Sequence, residues 1–273
     1  MRRRSHSARA VVTGAGSGIG RAFALELARR GGQVVCADID VIRAQETAAQ
    51  IGPRALAVAC DVAVYDDVVA LAKQAEEFLC GPVDLVINNA GVGSGGKDVG
   101  ELPIEDWQWV LGVNLFGVVH GCHVFTPGLR TAGTAGIINV ASAAAFGAMP
   151  QMSAYNVSKA GVLALSETMA AELSGTDVAV TALCPTFVQT NVVRDGRIES
   201  QAVELAEKLM RWTGMTAEAV AVRTLDAHDK GRLYVIPQRH AQVLWHLKRH
   251  LPAPYTKVMG LGFRAVSAVA KKI

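Results

Sequence analysis

The chain has 273 residues, of which 51% are hydrophobic, 19% are charged and only 5% are aromatic, and its formal net charge is +3. This composition excludes a mainly disordered chain, and the length suffices for one α/β domain of about 250 residues whose core needs no disulfide or metal. The few aromatic residues and the 27 glycines argue against an all-β fold.

The five cysteines are scattered through the sequence without a C-x-x-C pair. Several of them fall in apolar runs, which predicts free thiols that act as small core residues, and neither a zinc site nor a disulfide framework is expected. The basic first residues are not followed by an apolar stretch, so we expect no secretory signal. We also expect no segment with the about 20 apolar residues of a membrane span, and these features together predict a cytoplasmic protein.

Short apolar runs alternate with helical patterns along the chain. Nearly continuous apolar runs are typical of parallel strands that are covered on both faces. The predicted strands are Arg9–Thr13, Gln33–Ala37, Ala55–Cys60, Val83–Ile87, Gly136–Val140, Val178–Leu183 and Arg232–Ile236. This alternation predicts one α/β domain over residues 1–238, with a Rossmann-like doubly wound parallel sheet of about seven strands flanked by helices. In such a sheet, ligands bind beyond the carboxyl ends of the strands.

The first predicted strand leads into the glycine-rich sequence TGAGSGIG at residues 13–20, which is followed by a helical pattern. Glycines permit a sharp turn and a close approach of the backbone to a ligand, and the N–H groups at a helix start attract a pyrophosphate. The candidate cofactor-binding residues of this loop are Gly14, Ser17, Gly18, Ile19 and Gly20. The alternative is a tight strand-to-helix turn without a ligand.

Asp38 ends the second predicted strand, 18 residues after Gly20. An acidic residue at about this distance binds the ribose hydroxyls of a dinucleotide and repels the extra phosphate of NADP. Because Ser17 and Ile39 provide no Arg or Lys nearby to neutralise such a phosphate, the sequence predicts NAD as the cofactor. The alternative is that Asp38 and Asp40 cap the next helix.

Two further turns are candidates for cofactor contact. Asp61 and Val62 follow the third predicted strand, where the Asp61 carboxylate is placed to accept a hydrogen bond from an adenine amino group. Helix capping by Asp61 is the competing interpretation. Asn89 lies in the turn-prone NNAG sequence at residues 88–91, which allows the backbone to lie against the cofactor.

A possible acid–base centre follows in the second half of the chain. Tyr155 and Lys159 come 13 and 17 residues after Ser142, and their spacing of four makes them neighbours on one helix face. Free tyrosine has a pKa near 10, and we expect a neighbouring ammonium and a cationic nicotinamide to lower it, so that the phenol can act as a base. Asn114 lies in the apolar stripe of a long predicted helix, where a buried amide needs hydrogen-bond partners.

These motifs, in this order, together with the CPTFVQT sequence at residues 184–190, resemble the short-chain dehydrogenase/reductase family over about residues 8–238. The resemblance implies a catalytic tetrad of Asn114, Ser142, Tyr155 and Lys159. In it, Tyr155 would be the general acid or base and Ser142 would hold the substrate oxygen. Lys159 would bind the nicotinamide ribose and lower the pKa of Tyr155, and Asn114 would anchor a water in a proton relay.

The resemblance also assigns the segment after the sixth strand. Val188 and Thr190 would contact the carboxamide of the nicotinamide. The sequence departs from the family pattern at Thr186, where the family usually has a glycine after the proline. We expect this threonine to stiffen the loop and to leave the chemistry intact.

The segments expected over the substrate pocket are apolar, and residues 141–154 contain no Arg or His. The apolar residues are those from Ala143 to Met149, with Phe187, Leu209, Met210, Trp212 and Met215. We therefore expect a bulky apolar secondary alcohol or ketone, such as a steroid, terpenoid or long-chain alcohol, held at Ser142 and Tyr155, with ordinary packing of a lid as the alternative. The other candidate functions are an NADPH-dependent carbonyl reductase and a non-catalytic NAD-sensing regulator. The presence of both Tyr155 and Lys159 argues against the regulator.

Residues 239–273 lie beyond the family pattern and form a basic amphipathic extension. Residues 230–273 contain nine Lys or Arg and no Asp or Glu, and leucines and valines recur among the cations. We expect this extension to be helical and to pack against its own subunit or a neighbouring one in a homodimer or homotetramer. Peripheral contact with an anionic membrane is the alternative, and nucleic-acid binding is not expected.

Overall fold

The computed structural model describes residues 3–188, 196–199 and 214–270. Seven parallel strands form one sheet in the order β3-β2-β1-β4-β6-β7-β9. They are β1 (Arg9–Thr13), β2 (Gln33–Asp38), β3 (Ala55–Ala59), β4 (Leu85–Asn88), β6 (Ala135–Val140), β7 (Val178–Leu183) and β9 (Tyr234–Val235). Two short strands, β5 (Ser94–Gly95) and β8 (Arg197–Ile198), pair separately in parallel. The predicted Rossmann-like architecture is confirmed.

The described helices cover both faces of this sheet. They are α1 (Gly18–Arg29), α2 (Val41–Ile51), α3 (Tyr65–Leu79), α4 (Ile104–Leu111), α5 (Gly117–Thr131), α6 (Ala144–Gly147), α7 (Ser153–Glu172), α8 (Ala217–Asp229), α9 (Arg239–His250) and α10 (Pro252–Ala270). The π-helical turn Gly112–Phe116 joins α4 to α5. The last two helices form the C-terminal extension.

The core consists of two layers because successive strand residues point to opposite faces of the sheet. Val11 lies in the layer that contains α3, α5 and α7, whereas Val12 lies in the layer with α1 and α8. The helix faces supply large apolar side chains such as Phe23 and Leu27, which are fully buried. Both faces of the strands are therefore covered, and this is why their sequences are almost continuously apolar.

The strand order reverses at the middle of the sheet. Val11 of β1 pairs with Val35 of β2 on one side and with Val86 of β4 on the other. The chain connections leave β1 and β4 in opposite directions, and this opens a crevice beyond their carboxyl ends. The glycine-rich loop and the NNAG turn both start there.

One helical run, Ile104–Thr131, is long and apolar enough to cross a membrane when judged by length and composition alone. The expectation that no segment has this character is therefore wrong. In this fold the run packs against the sheet, with Val110, Val118 and Phe125 buried in the core. Its apolar character is explained by that packing.

Candidate active site

The glycine-rich loop lies against the NNAG turn across the crevice. Gly14 has φ +65°, and a Cβ at this position would lie 2.8 Å from Cα of Ala90. A Cβ on Gly20 would collide with the carbonyl oxygen of Gly14. Helix α1 begins at Gly18, so its positive end and first N–H groups face the crevice. The loop is shaped for an anionic group and has no room for larger residues.

Asn89 and Thr13 hold the two loops together. Asn89 Nδ2 donates to the carbonyl oxygens of Thr13 at 2.8 Å and Gly14 at 3.3 Å. The Thr13 hydroxyl accepts from the N–H groups of Asn89 and Ala90 at 3.0 and 3.1 Å. The side chain of Asn89 therefore braces the glycine loop, and Thr13 is a structural residue of the site that the sequence analysis did not single out.

The Asp38 carboxylate reaches the glycine loop from the end of β2. Its Oδ2 accepts from the N–H of Gly16 at 2.8 Å, and its Oδ1 accepts from the N–H of Asp40 at 3.0 Å. Helix α2 is capped by Asp40, whose side chain accepts from the N–H groups of Ile42 and Arg43. The alternative that Asp38 and Asp40 cap this helix is therefore confirmed for Asp40 and wrong for Asp38.

Two arginines lie closer to this carboxylate than the sequence analysis expected. Arg21 Nη2 donates to the carbonyl oxygen of Gly16 at 2.6 Å. A Cβ on Gly16 would lie 2.7 Å from Cβ of Arg43, and Arg43 Nε pairs with Asp40 Oδ2 at 3.1 Å. The expectation of no nearby cation was wrong because the turn after β2 brings the start of α2 back onto the loop.

Asp61 forms a turn rather than a helix cap. Its Oδ1 accepts from the N–H of Ala63 at 2.9 Å, and the N-cap of α3 is Val64. The competing interpretation of Asp61 as a helix cap is therefore wrong. Val62 is buried, and its carbonyl oxygen lies 2.9 Å from Nδ1 of His120.

Asn114 lies in the π-helical turn between α4 and α5 and is fully buried. Its Oδ1 accepts from the N–H of Val92 at 2.7 Å, and its Nδ2 donates to the Val92 carbonyl oxygen at 2.9 Å. Nδ2 also lies 3.3 Å from the hydroxyl oxygen of Ser158. These contacts satisfy the buried amide, and short π-helical turns of this kind are frequent at functional sites.

Ser142 lies just after β6, and Tyr155 and Lys159 lie in the first two turns of α7. The Ser142 hydroxyl accepts from the N–H of Ala144 at 3.1 Å and donates to the carbonyl oxygen of Pro185 at 3.4 Å. Lys159 is only 3% exposed, and its Nζ donates to the carbonyl oxygen of Val140 at 2.9 Å. Lys159 Nζ lies 5.9 Å from the centre of the Tyr155 ring.

In the cofactor-free chain, the pKa values of Tyr155 and Lys159 are shifted from their ordinary values. Burial raises the pKa of Tyr155, and the hydrogen bond from Ser142 opposes that rise only in part. Burial also lowers the pKa of Lys159 from 10.5 to about 8. In the cofactor-free chain the loss of hydration thus dominates the pKa of Tyr155. The expectation that Lys159 and a bound nicotinamide together lower this pKa stays a prediction.

Gly91 lies close to both the Asn114 amide and the Lys159 amine. A Cβ on Gly91 would lie 3.1 Å from Asn114 Oδ1 and 3.3 Å from Lys159 Nζ. Ser158 connects the same groups to the base, since its hydroxyl donates to the carbonyl oxygen of Tyr155 at 2.8 Å. Ser158 was missed in the sequence analysis, although it lies three residues after Tyr155 and is therefore its neighbour on α7; the structure shows it fully buried.

The loop after β7 is held by the C-terminal extension. Oγ1 of Thr186 lies 3.0 Å from Nε2 of His240 in α9. The side chain of Gln238 accepts from the N–H of Thr186 at 3.1 Å and donates to the carbonyl oxygen of Phe187 at 3.2 Å. Val188 is buried and forms a β-bridge with Met215. Thr190 lies outside the described residues.

The apolar segment after Ser142 is divided between core and surface. Phe146 is buried against Trp245 of α9, with 4.9 Å between ring centres, so it contributes to packing. Met149 is 39% exposed. Leu209, Met210 and Trp212, which the sequence analysis placed near the pocket, lie outside the described part of the chain.

Comparison with known proteins agrees with this geometry. Residues 8–201 match the family model described as short chain dehydrogenase. The chain is 43% identical over 186 residues to a probable oxidoreductase, EphD, of Mycobacterium tuberculosis, and the match covers 67% of this chain but 31% of that protein. The chain thus spans about a third of the length of this relative.

Two further similarities extend over most of the chain. It is 36% identical over 239 residues to 1-deoxy-11-beta-hydroxypentalenate dehydrogenase of Streptomyces exfoliatus, covering 86% of this chain and 84% of that one. A short chain dehydrogenase/reductase of Burkholderia phymatum, crystallised in complex with NAD, superimposes with a TM-score of 0.85 at 34% identity, covering 92% of this chain and 95% of that one. The chain therefore belongs to the short chain dehydrogenase family.

Proposed function

We propose that this protein transfers a hydride between NAD(H) and a secondary alcohol or ketone. The observation that carries the proposal is the pairing of Tyr155 with Lys159 on α7, where Lys159 Nζ lies 5.9 Å from the centre of the Tyr155 ring, at the sheet edge where Ser142 follows β6. The three groups lie beyond the carboxyl ends of the parallel strands, where ligands bind in this architecture.

Tyr155 is the proposed acid–base group. In the oxidative direction its phenolate takes the hydroxyl proton of the alcohol, while the carbon-bound hydrogen leaves with its electron pair. The products are a ketone, reduced cofactor and a proton that Tyr155 releases to solvent. Ser142 holds the substrate oxygen, because it lies at the same sheet edge as the phenol that must reach the same atom.

Lys159 and Asn114 are proposed to route that proton. A Cβ on Gly91 would lie 3.1 Å from Asn114 Oδ1 and 3.3 Å from Lys159 Nζ, so the glycine keeps both groups free of a side-chain contact, and a water beside them would complete the relay. Lys159 also supplies positive charge close to the phenol, which favours the phenolate when the base must be deprotonated. Asn114 is the proposed anchor of the water.

NAD is the proposed cofactor, and when bound it supplies the hydride acceptor. The residue set fits a dinucleotide, because the loop tolerates no Cβ at Gly14 or Gly20 and the start of α1 points at the same place. The residues that would hold it are Gly14, Ser17, Gly18, Ile19, Gly20, Asp38, Asp61, Val62, Asn89, Tyr155, Lys159, Val188 and Thr190. The Asp38 carboxylate at the loop supports NAD over NADP, although Arg43 nearby keeps an NADPH-dependent reductase as the second candidate.

A bulky apolar alcohol or ketone is the proposed substrate class. Residues 143–152, which follow Ser142, contain no charged side chain, and Met149 in this segment is exposed. A substrate that carries a carboxylate or phosphate would find no cation in this segment. The relative from Streptomyces is named for a hydroxypentalenate, which supports a substrate larger than a simple alcohol. Since that compound is a carboxylate, the argument for an uncharged substrate rests on the segment after Ser142 alone.

We further propose that residues 1–238 form one domain extended by residues 239–273, and that the enzyme is a cytoplasmic homodimer or homotetramer. Tyr65 of α3, which is exposed, lies 5.5 Å from the ring of His120 in α5, and exposed Phe116 lies 6.3 Å from the same ring. An exposed aromatic patch of this kind supports contact with a second subunit.

The decisive experiment is a spectrophotometric screen of secondary alcohols, steroids included, with NAD⁺ and NADP⁺ in parallel. We expect turnover of an apolar alcohol with NAD⁺, and its loss in Tyr155→Phe with folding unchanged. NAD binding without turnover of any alcohol or ketone would favour the non-catalytic regulator. Near-normal turnover by Tyr155→Phe would show that the base is wrongly assigned.

A further inference from the structure

The outward face of the C-terminal extension carries an apolar stripe. Val243, Leu247 and Leu251 are exposed and follow each other at intervals of four residues, which places them along one side of α9 and its end. Leu247 is 45% exposed. On α10, Val258 and Leu261 are also exposed, Val258 to 67%. We call these five residues the extension stripe.

The cations of the extension lie close to this stripe. Arg239 precedes Val243 by one helical turn, and Lys257 and Arg264 lie on either side of Leu261; all three are exposed. No Asp or Glu occurs from residue 230 to residue 273, whereas nine Lys or Arg do. The surface therefore combines exposed apolar side chains with charge of one sign.

We propose that the extension stripe and its flanking cations bind an anionic lipid surface. Helices that lie in a membrane interface bury apolar side chains among the acyl chains while Lys and Arg contact the headgroups. Each cation near an anionic leaflet contributes roughly a fivefold gain in binding. This inference does not depend on the proposed reaction.

The distribution of charge favours lipid over a second copy of the same face. Two copies joined symmetrically through this surface would bring their cations together without any acid of the extension to balance them. The first 229 residues carry 18 Lys or Arg and 24 Asp or Glu, so an anionic surface repels the body and attracts the extension. Such a molecule would bind in one orientation.

The inward face of the same helices contacts the active site. Trp245 packs on Phe146, and His240 lies beside Thr186 of the loop after β7. Tyr255, at the start of α10, is buried and bonds to the backbone after Ser142. A lipid-bound extension would therefore hold the substrate side of the enzyme close to the membrane, where apolar alcohols and ketones concentrate.

The test is co-sedimentation of the full-length protein with vesicles, without cofactor or substrate. One set contains equal parts of phosphatidylglycerol and phosphatidylcholine, and the other contains phosphatidylcholine alone. We expect pelleting with the anionic vesicles at low salt, with a strong loss at about 1 M salt, where the Debye length is only about 3 Å. Pelleting needs no catalysis, so its failure is distinct from failure of the proposed function.

Matched variants locate the surface. Leu247→Glu with Leu261→Glu should weaken binding by roughly tenfold or more, and Lys257→Gln with Arg264→Gln by roughly 25-fold. The control is Val69→Glu with Val99→Glu, two exposed apolar residues outside the extension, which should leave binding unchanged. Circular dichroism and thermal unfolding check that each variant is folded.

Three results would overturn the proposal. They are no pelleting with anionic vesicles at low salt, equal pelleting with pure phosphatidylcholine, and equal losses in the Leu247/Leu261 and Val69/Val99 variants. Light scattering tests the alternative that a second copy of the chain covers the extension stripe. If the Leu247/Leu261 variant converts a larger assembly into a smaller one and leaves vesicle binding intact, the stripe is an interface between copies of the chain.

Discussion

The phenol of Tyr255 donates a 2.9 Å hydrogen bond to the carbonyl oxygen of Gly147, 108 residues earlier in the chain. Gly147 ends the short helix α6, which begins two residues after Ser142. The next residue, Ala148, has φ +49°, a conformation that non-glycine residues adopt only when the surroundings hold it. The extension therefore fixes the backbone that follows Ser142.

The first prediction concerns this contact. Tyr255→Phe leaves a buried carbonyl without its partner, so we expect the free energy of unfolding to fall by about 1–2 kcal/mol. Because Gly147 follows Ser142 closely, KM for the alcohol should rise several-fold while KM for NAD stays constant. Tyr234→Phe is the control, since its hydroxyl bonds to Glu167 at the surface. Equal effects of both substitutions would argue against a positioning role for Tyr255.

The second prediction concerns cofactor choice. Asp38→Ser removes the carboxylate that accepts from Gly16, while Arg43 stays next to the loop. We expect kcat/KM with NAD to fall at least about tenfold and kcat/KM with NADP to rise, because a hydrogen bond to a charged group is worth about 1.5–3 kcal/mol. Asp40→Ala should lower stability by about 1 kcal/mol, since Asp40 caps α2, and should change the cofactor preference less than Asp38→Ser does. An unchanged NAD/NADP ratio in Asp38→Ser would contradict the assignment.

The third prediction sets stability against activity at Lys159. Its pKa is lowered to about 8 in the folded chain. The charged amine therefore destabilises the fold below about pH 8, and this cost disappears as pH rises toward the unfolded value of 10.5. Lys159→Met should be more stable than the parent by about 1–2 kcal/mol near pH 7, with the difference shrinking toward pH 10, and should lose at least about a hundredfold in turnover. Urea unfolding across this pH range checks it, and a gain that grows with pH would contradict it.

The fourth prediction is a pH dependence of folding caused by His228. This side chain is fully buried between α8 and the sheet, its Nδ1 lies 2.9 Å from Oγ1 of Thr181, and burial lowers its pKa from 6.5 to about 4. The unfolded chain thus binds the proton first, so this stability is present above about pH 6.5 and is lost as pH falls toward 4.

Between about pH 7.5 and pH 5 we expect the free energy of unfolding to fall by about 2 kcal/mol through His228. His228→Gln keeps a polar group toward Thr181 without a titrating proton, so its stability should be nearly flat over the same interval. Urea unfolding of both proteins at the two pH values measures the difference. Parallel curves would assign the pH dependence to other groups.

The sequence predicts those parts of the site that depend on local spacing. The glycine loop, Asp38 and the Tyr155–Lys159 pair each follow a recognisable strand or share one helix face, so a few neighbouring residues determine where they lie. The strand ends were placed within a few residues for the same reason, since the apolar runs are short and bounded by turns.

The parts that the sequence did not predict depend on contacts between distant segments. The approach of Arg43 to Gly16 requires the turn after β2, and the bond from Tyr255 to Gly147 joins α10 to α6. The π-helical turn at Asn114 has no pattern of its own, because its apolar residues also fit a regular helix. The raised pKa of Tyr155 follows from burial, which no spacing of residues reveals.

The central place of β1 has a consequence for the order in which the protein folds. Its partner β2 emerges from the ribosome soon after it, but its other partner, β4, begins at Leu85. Until that segment has been synthesised, one edge of β1 has no neighbouring strand, and the glycine loop lacks its hydrogen bonds with Asn89. Because parallel pairing over such separations is slow, the nascent chain is exposed to aggregation during this interval. Chaperone capture of ribosome-bound chains should accordingly decline once β4 has been released into the sheet.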